Sequence, residues 1–233
     1  MKKYILLTTV VCCQNMYTQT DSSKFQLEEF EVTTNRVGQN SPVAHENISK
    51  EELEVNNHGV DLPILLDQAT SIVTTSDAGA GVGYTGIRVR GTDATRVNIT
   101  INGIPFNDAE SHGVFWVNMP DLSSSTSDIQ IQRGVGSSTT GASSFGATVN
   151  LSTLGNASSI KPFGEISNSF GSFNTIKNTV RFGSGLMDGK WNFEGRLSNI
   201  QSDGFIDRAN SDLKSYYLSG SYLGENTSIQ ALV

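Results

Sequence analysis

Hydrophobic and polar positions alternate with period two along the last third of the chain. Thr175–Ser184 sets Ile176, Val180 and Phe182 on one face and Lys177, Thr179 and Arg181 on the other. Trp191–Ser198 sets Trp191, Phe193 and Leu197 against Asn192, Glu194, Arg196 and Ser198. Leu213–Leu223 groups Tyr216, Leu218 and Tyr222, and Thr227–Val233 alternates again. This period is the mark of strands with two unlike faces. Each run spans about nine to eleven residues, the length of a tilted membrane-crossing strand. The connections alternate as well: LMDGK is short and holds Asp188-Gly189, IQSDGFIDRANSD is long and polar, and GEN is short. Short turns on one side and long loops on the other predict antiparallel transmembrane β-barrel strands. A soluble β-sandwich alternates too and is the competing solution.

Residues 46–153 have a different texture. Ser49-Lys50-Glu51-Glu52 has the form of a capping box and predicts a short helix to Val55. Asp61 ahead of Leu62-Pro63-Ile64-Leu65-Leu66 predicts a second short helix, with an acidic cap and a proline in its first turn. Strand patterns occur at Ser71–Thr75, Ile87–Arg90, Val97–Ile101, Asp128–Gly134 and Thr148–Ser152, and Asn102-Gly103 is a hairpin-turn signal. The region reads as a small α+β domain with about four short strands and two short helices. Residues 104–127 form a long irregular stretch with several aromatics, which points to function rather than disorder.

The stretch GVGYTG has the Gly81-x-Gly83-x-x-Gly86 spacing of a dinucleotide loop. Such a loop needs a buried strand before it and a helix N-terminus after it, whose free N–H groups hold the phosphates. Here the polar TTSDAGA precedes and the alternating Ile87-Arg88-Val89-Arg90 follows. The glycines therefore predict a tight loop, not a cofactor site.

The opening residues, MKKYILLTTVVCCQNMYTQ, place two lysines ahead of an apolar stretch too short to span a bilayer as a helix. They predict a secretory signal peptide over 1–19; lipidation at Cys12 is the alternative. Both cysteines lie inside it, so the exported chain is expected to have no disulfide, thiolate nucleophile or thiolate-bound metal. With 16 Lys+Arg against 23 Asp+Glu the chain is acidic, which argues against nucleic acid as a partner. His45, His58 and His112 are isolated in sequence, and no acid–base pair or nucleophile constellation marks an enzyme or a cofactor requirement. Residues 20–45 are polar with one alternating island, Phe30–Thr33, and read as an exposed arm.

Four ordered motifs carry a family resemblance: IRVRG (87–91), INGIPFND (101–108), DIQIQRGVGSS (128–138) and GASSFGATVNLST (141–153). Together they resemble the plug signature of TonB-dependent outer-membrane receptors, in the version common in Bacteroidetes-type bacteria. EEFEVTT (28–34) resembles the TonB box of such proteins. The resemblance implies an arm at 20–45, a plug at 46–153 and the start of a barrel at 154–233. Full receptors close a barrel of about 22 strands, and only four or five fit in 161–233, so the sequence is expected to be part of a longer chain.

The resemblance further implies a localisation, partners and site residues. The protein is expected in the outer membrane of a Gram-negative bacterium, with lipid around it. Its expected task is import of a scarce nutrient, such as an iron chelate or a cobalamin-like molecule. Glu31, Val32, Thr33 and Thr34 would be gripped by TonB, the periplasmic energy-coupling protein, through added-strand pairing. Arg90 and Arg133, with Arg88, would pair with barrel glutamates beyond Val233; solvation of all three is the plain alternative. Phe106, His112, Phe115 and Trp116 would face the substrate, although Phe115 and Trp116 could equally pack their loop onto the plug. A surface adhesion or glycan-binding protein is the rival function.

Overall fold

A computed structural model describes residues 36–38, 41–136, 144–153, 161–224 and 227–233. The signal-peptide, TonB-box and second glycine-rich (137–143) assignments lie outside the described residues.

The α+β unit is built on a five-stranded sheet. Its strands are β1 (His45–Ser49), β4 (Val97–Ile101), β5 (Ile104–Pro105), β6 (Asp128–Arg133) and β7 (Ala147–Ser152), in the order β1-β6-β7-β4-β5. Only β4 and β7 run parallel. β2 (Ile72–Ser76) and β3 (Thr85–Val89) form a separate antiparallel ribbon. Helix α1 (Lys50–Asn56) starts with the predicted capping box: Glu52 N–H donates to Ser49 Oγ at 3.3 Å, and Ser49 N–H donates to Glu52 Oε2 at 2.8 Å. Helix α2 (Leu62–Leu65) also forms, but Asp61 makes no side-chain cap bond, because its carboxylate is turned to Thr85 instead. The Asn102-Gly103 turn places both residues at positive φ, 52° and 81°, as a tight hairpin between right-twisted strands requires.

One apolar cluster holds this unit. Leu53 and Leu62 from the helices, with Leu66 just after α2, pack with Ile72, Val89, Ile99, Ile129, Ile131, Val149 and Leu151 from the strands, and with Trp116. The sequence pattern did not mark β1: HENIS is short and half-exposed on both faces, so burial leaves no period in it. Nor did it show how far the unit reaches toward the N-terminus, since Arg36 and Val37 already bond to β6.

The second sheet is an antiparallel meander in the order β12-β11-β10-β9-β8, which does not close on itself. It comprises β8 (Phe163–Phe170), β9 (Ile176–Gly183), β10 (Trp191–Ser202), β11 (Ser211–Leu223) and β12 (Ser228–Leu232). β8 joins the four strands read from the pattern. Its own alternation is blurred by polar residues on both faces. The tight turn at Asp188-Gly189 again has both residues at positive φ, 51° and 67°.

The burial of this sheet is inverted. On β9 and β10 the polar positions Lys177, Thr179, Arg181, Asn192, Glu194, Arg196 and Ser198 are buried, while Val180, Phe182, Trp191, Phe193 and Leu197 are exposed. A soluble sandwich would bury the apolar set, so this rules the sandwich out. The arrangement is that of a barrel wall, apolar outward and polar inward. Strand register sharpens the picture. At one end of the outer face Trp191 packs on Tyr222 with ring centroids 4.7 Å apart, and Phe193 lies beside them. Toward the other end, register aligns Asn168, Asn178, Asn199 and Lys214 in a polar row across four strands. Val180, Leu197, Ile166 and Tyr216 lie between these limits, which gives a bounded apolar band.

Candidate functional site

The inner wall of the meander and the α+β unit meet in a buried charged cluster centred on Asp121. This residue sits at positive φ, 58°, at the start of the 3-10 turn Leu122–Ser125, a conformation Asp tolerates. Its carboxylate is fully enclosed. Lys177 Nζ approaches Asp121 Oδ1 at 2.7 Å and also donates to Asn57 Oδ1 at 2.7 Å and Ser124 Oγ at 3.1 Å. Asp121 Oδ2 accepts from Thr179 Oγ1 at 2.8 Å and from Ser198 Oγ at 2.5 Å. Arg196 lies 3.6 Å from the same oxygen and donates to Ser215 Oγ at 3.3 Å, which in turn donates to the Pro120 carbonyl. Burial pushes the Asp121 carboxyl up, but Lys177 and Arg196 outweigh it and hold it below the usual carboxylate range. Asp121 is therefore an anion that one unit supplies to two cations of the other.

A second contact lies further along the wall. Arg181 donates to Glu165 Oε2 on β8 at 3.1 Å and reaches Glu54 on α1 at 3.5 Å. A third lies at the loop end. There the β2–β3 loop meets the connection between β10 and β11: Phe205 N–H donates to the Ala78 carbonyl at 2.9 Å, and the Phe205 ring rests on Gly79. Phe173 and Phe205 meet edge to face at 5.5 Å. Phe205 and Tyr84 stay largely exposed, so this end presents aromatic surface. GVGYTG falls in the β2–β3 loop and runs directly into strand β3, with no helix behind it.

The residues singled out from sequence scatter around this cluster. Arg133 pairs with Glu46 on the neighbouring strand β1 at 2.6 Å and donates to the Thr70 carbonyl at 3.2 Å, so it has a carboxylate partner inside the α+β unit. That bond holds Glu46 below the usual carboxylate range. Arg88 and Arg90 are exposed, and Arg90 takes the left-handed conformation at φ 51°. Phe106, His112 and Phe115 are exposed, in a loop that Asn107 ties to β4 through Ile99 N–H and the Val97 carbonyl. Trp116 does not share that surface: it is 4 % exposed and belongs to the core. Among the described residues no group of His, Cys, Asp and Glu comes together as a metal site.

Sequence reasoning placed Lys177, Arg196 and Ser198 on polar strand faces but did not single out Asp121. The available signal was that inward-facing cations need an acid. Nothing local tells which acid in a preceding domain supplies it.

Comparison with known proteins bears on both units. Residues 38–148 match the family model of the TonB-dependent Receptor Plug Domain. No curated protein matches the chain in sequence. Among solved structures it is similar to the pyoverdine outer membrane receptor FpvA of Pseudomonas aeruginosa, with TM-score 0.65 and 15% identity over 82% of this chain and 27% of that one. It is similar to the ferric yersiniabactin uptake receptor FyuA of Yersinia pestis, with TM-score 0.60 and 16% identity over 79% and 29%. It is also similar to the siderophore receptor PirA of Acinetobacter baumannii, with TM-score 0.59 and 15% identity over 81% and 32%. At such identities the likeness is one of fold. The chain spans about a quarter to a third of those receptors' length. Residues 38–148 are thus a plug domain of the TonB-dependent receptor kind, seated by Asp121 against an inverted antiparallel wall.

Proposed function

We infer that the whole protein is an outer-membrane importer of a metal-chelate nutrient, with siderophore-type iron complexes as the first class to test. The inverted wall with a charged plug seated on it carries this reading. A wall with a polar inner face would enclose water unless filled, and here the α+β unit occupies that face through Asp121, Glu54 and Pro120. The named fold neighbours, receptors for pyoverdine and ferric yersiniabactin, support the ligand class. Phe106, His112 and Phe115 are the plug's candidates for ligand contact, and Tyr84, Phe173 and Phe205 offer a second aromatic surface where plug and strand loops meet. Import against a gradient needs energy, and a periplasmic partner gripping Glu31–Thr34 by strand addition would supply it with little demand on side chains.

The test is deletion of residues 29–34 in the full-length protein. Energised uptake should be lost while ligand binding at the cell surface is retained. Undiminished uptake overturns the reading, and a receptor that binds but never imports in the intact form is an adhesin or glycan binder instead.

A further inference from the structure

Asp61 is wedged under the β2–β3 loop. It is buried at the head of α2 without capping that helix. Its Oδ2 accepts from Thr85 Oγ1 at 3.0 Å, whereas Oδ1 has no hydrogen-bond partner among the described residues. The main chain of the same residue holds the loop, since Asp61 N–H donates to the Gly81 carbonyl at 2.8 Å. The loop is a thin spacer between two bodies. Gly81 and Gly83 are buried at positive φ, 74° and 96°. A Cβ would stand 3.1 Å from Val60 Cγ1 at the first and 3.1 Å from Ser211 Oγ at the second. One side of the loop thus rests on the entry to α2 and the other on the start of β11, while Phe205 N–H bonds to its tip at Ala78. The titratable and charged groups on the surrounding elements are His58 before α2, Asp67 after it, Asp77 and Tyr84 in the loop, Arg88 on β3 and Asp212 on β11; all are exposed. That leaves the Thr85 hydroxyl and the Gly83 N–H to favour the Asp61 anion, and burial outweighs them, pushing the carboxyl up to about 7.

We propose that Asp61 is a proton-operated clasp on the β2–β3 loop: with its proton on, it keeps residues 77–84 packed between α2 and the strand connection, and when ionised it frees the loop and unseats Phe205. The reason is the orphan oxygen. A neutral carboxyl tolerates that enclosure, but an anion with one uncompensated oxygen does not, and opening the loop admits the water that solvates it. The sign follows from the raised value: the closed loop is favoured on the acid side and loses ground as pH rises through it. The Tyr84 and Phe205 surface is then set by the pH of the surrounding fluid. What that surface does for a ligand rests on the importer reading; the clasp does not.

The experiment is amide hydrogen exchange on the full-length protein in detergent micelles, with rates corrected for the intrinsic effect of pH. The amides of Asp61 and Phe205 report directly, since both bond to the loop. In the parent protein their protection should fall roughly tenfold or more between about pH 5.5 and about pH 8. The amides of Ile129 and Ile131 in the plug core should keep theirs, which marks the opening as local. Asp61→Asn cannot ionise and should hold the loop closed at both pH values. Asp77→Asn, on the exposed part of the same loop, should leave the parent's response intact. Thr85→Val removes a hydroxyl that favours the anion, so its response should move to higher pH. Protection that ignores pH in the parent, or a response that survives Asp61→Asn, overturns the clasp. So does a Thr85→Val response at the parent's pH, or a loss of protection shared equally by Ile129 and Ile131. No ligand or partner enters the measurement, so a failure here leaves the importer reading standing, and failed uptake leaves the clasp standing.

Discussion

Asp61 shows how a single side chain can carry a pH dependence. It is 3 % exposed, its Oδ2 accepts from Thr85 Oγ1 at 3.0 Å, and its Oδ1 has no hydrogen-bond partner. Burial pushes the carboxyl up to about 7, against the pull of Thr85 and the Gly83 N–H. The unfolded chain ionises this group from about pH 3.8 upward while the folded chain keeps its proton, so folding stability falls as pH rises between the two values and stays reduced above them. Asp61→Asn removes the cost of ionisation. The variant should gain on the order of 2–3 kcal/mol more at about pH 8 than at about pH 5, measured as the shift in thermal midpoint of the full-length receptor. An equal shift at both pH values would contradict the assignment. This residue was legible only as a helix cap. Its turn toward Thr85 depends on β3 folding back over it, which no local pattern encodes.

At the scale of elements, most of the architecture could be read in advance, because a strand with unlike faces writes its period directly into the chain. β9, β10 and β11 were found this way, as were α1 through its capping box and both tight turns through Asn-Gly and Asp-Gly. β1 and β8 were not, since each carries polar residues on both faces and burial imposes no period on them. Periodicity alone also leaves open which face is inside; the strands' length and loop rhythm pointed outward for the apolar face, and the burial of Lys177 and Arg196 bears this out. A direct check is Leu197→Arg, which places a charge on the outer face between Val180 and Tyr216. In lipid vesicles it should destabilise the folded receptor by about 2–4 kcal/mol, read from denaturant titration. A change within about 0.5 kcal/mol, as for an ordinary water-facing position, would mean that lipid does not cover this face.

For the whole molecule, the decisive contact is the one between its two units. Lys177 and Arg196 are buried on the wall and draw their counter-charge from Asp121 of the plug. Such a cluster adds little net stability over an apolar one, yet removing one member strands the others. Asp121→Leu should therefore cost about 3–5 kcal/mol. Adding Lys177→Met should recover a substantial part of that loss, both measured as thermal midpoints of the detergent-solubilised full-length protein. If the double variant is no better than the single one, Lys177 is not the residue that Asp121 neutralises. This seam was the least legible part of the sequence, because Asp121 and its partners are 56 and 75 residues apart and meet only after two independent sheets have formed.

The inverted burial of the strand sheet has a consequence for assembly. The plug's apolar cluster draws on plug residues throughout, so expelling water can close it in an aqueous compartment. The meander gains nothing comparable there: in water its outer band stays wetted, and its inner face offers mainly hydrogen-bonding groups. Its driving force appears only where hydrocarbon replaces water along Val180, Leu197 and Tyr216. Folding thus divides into two solvent steps, and before the strands reach hydrocarbon they are the part that must be kept from sticking to one another.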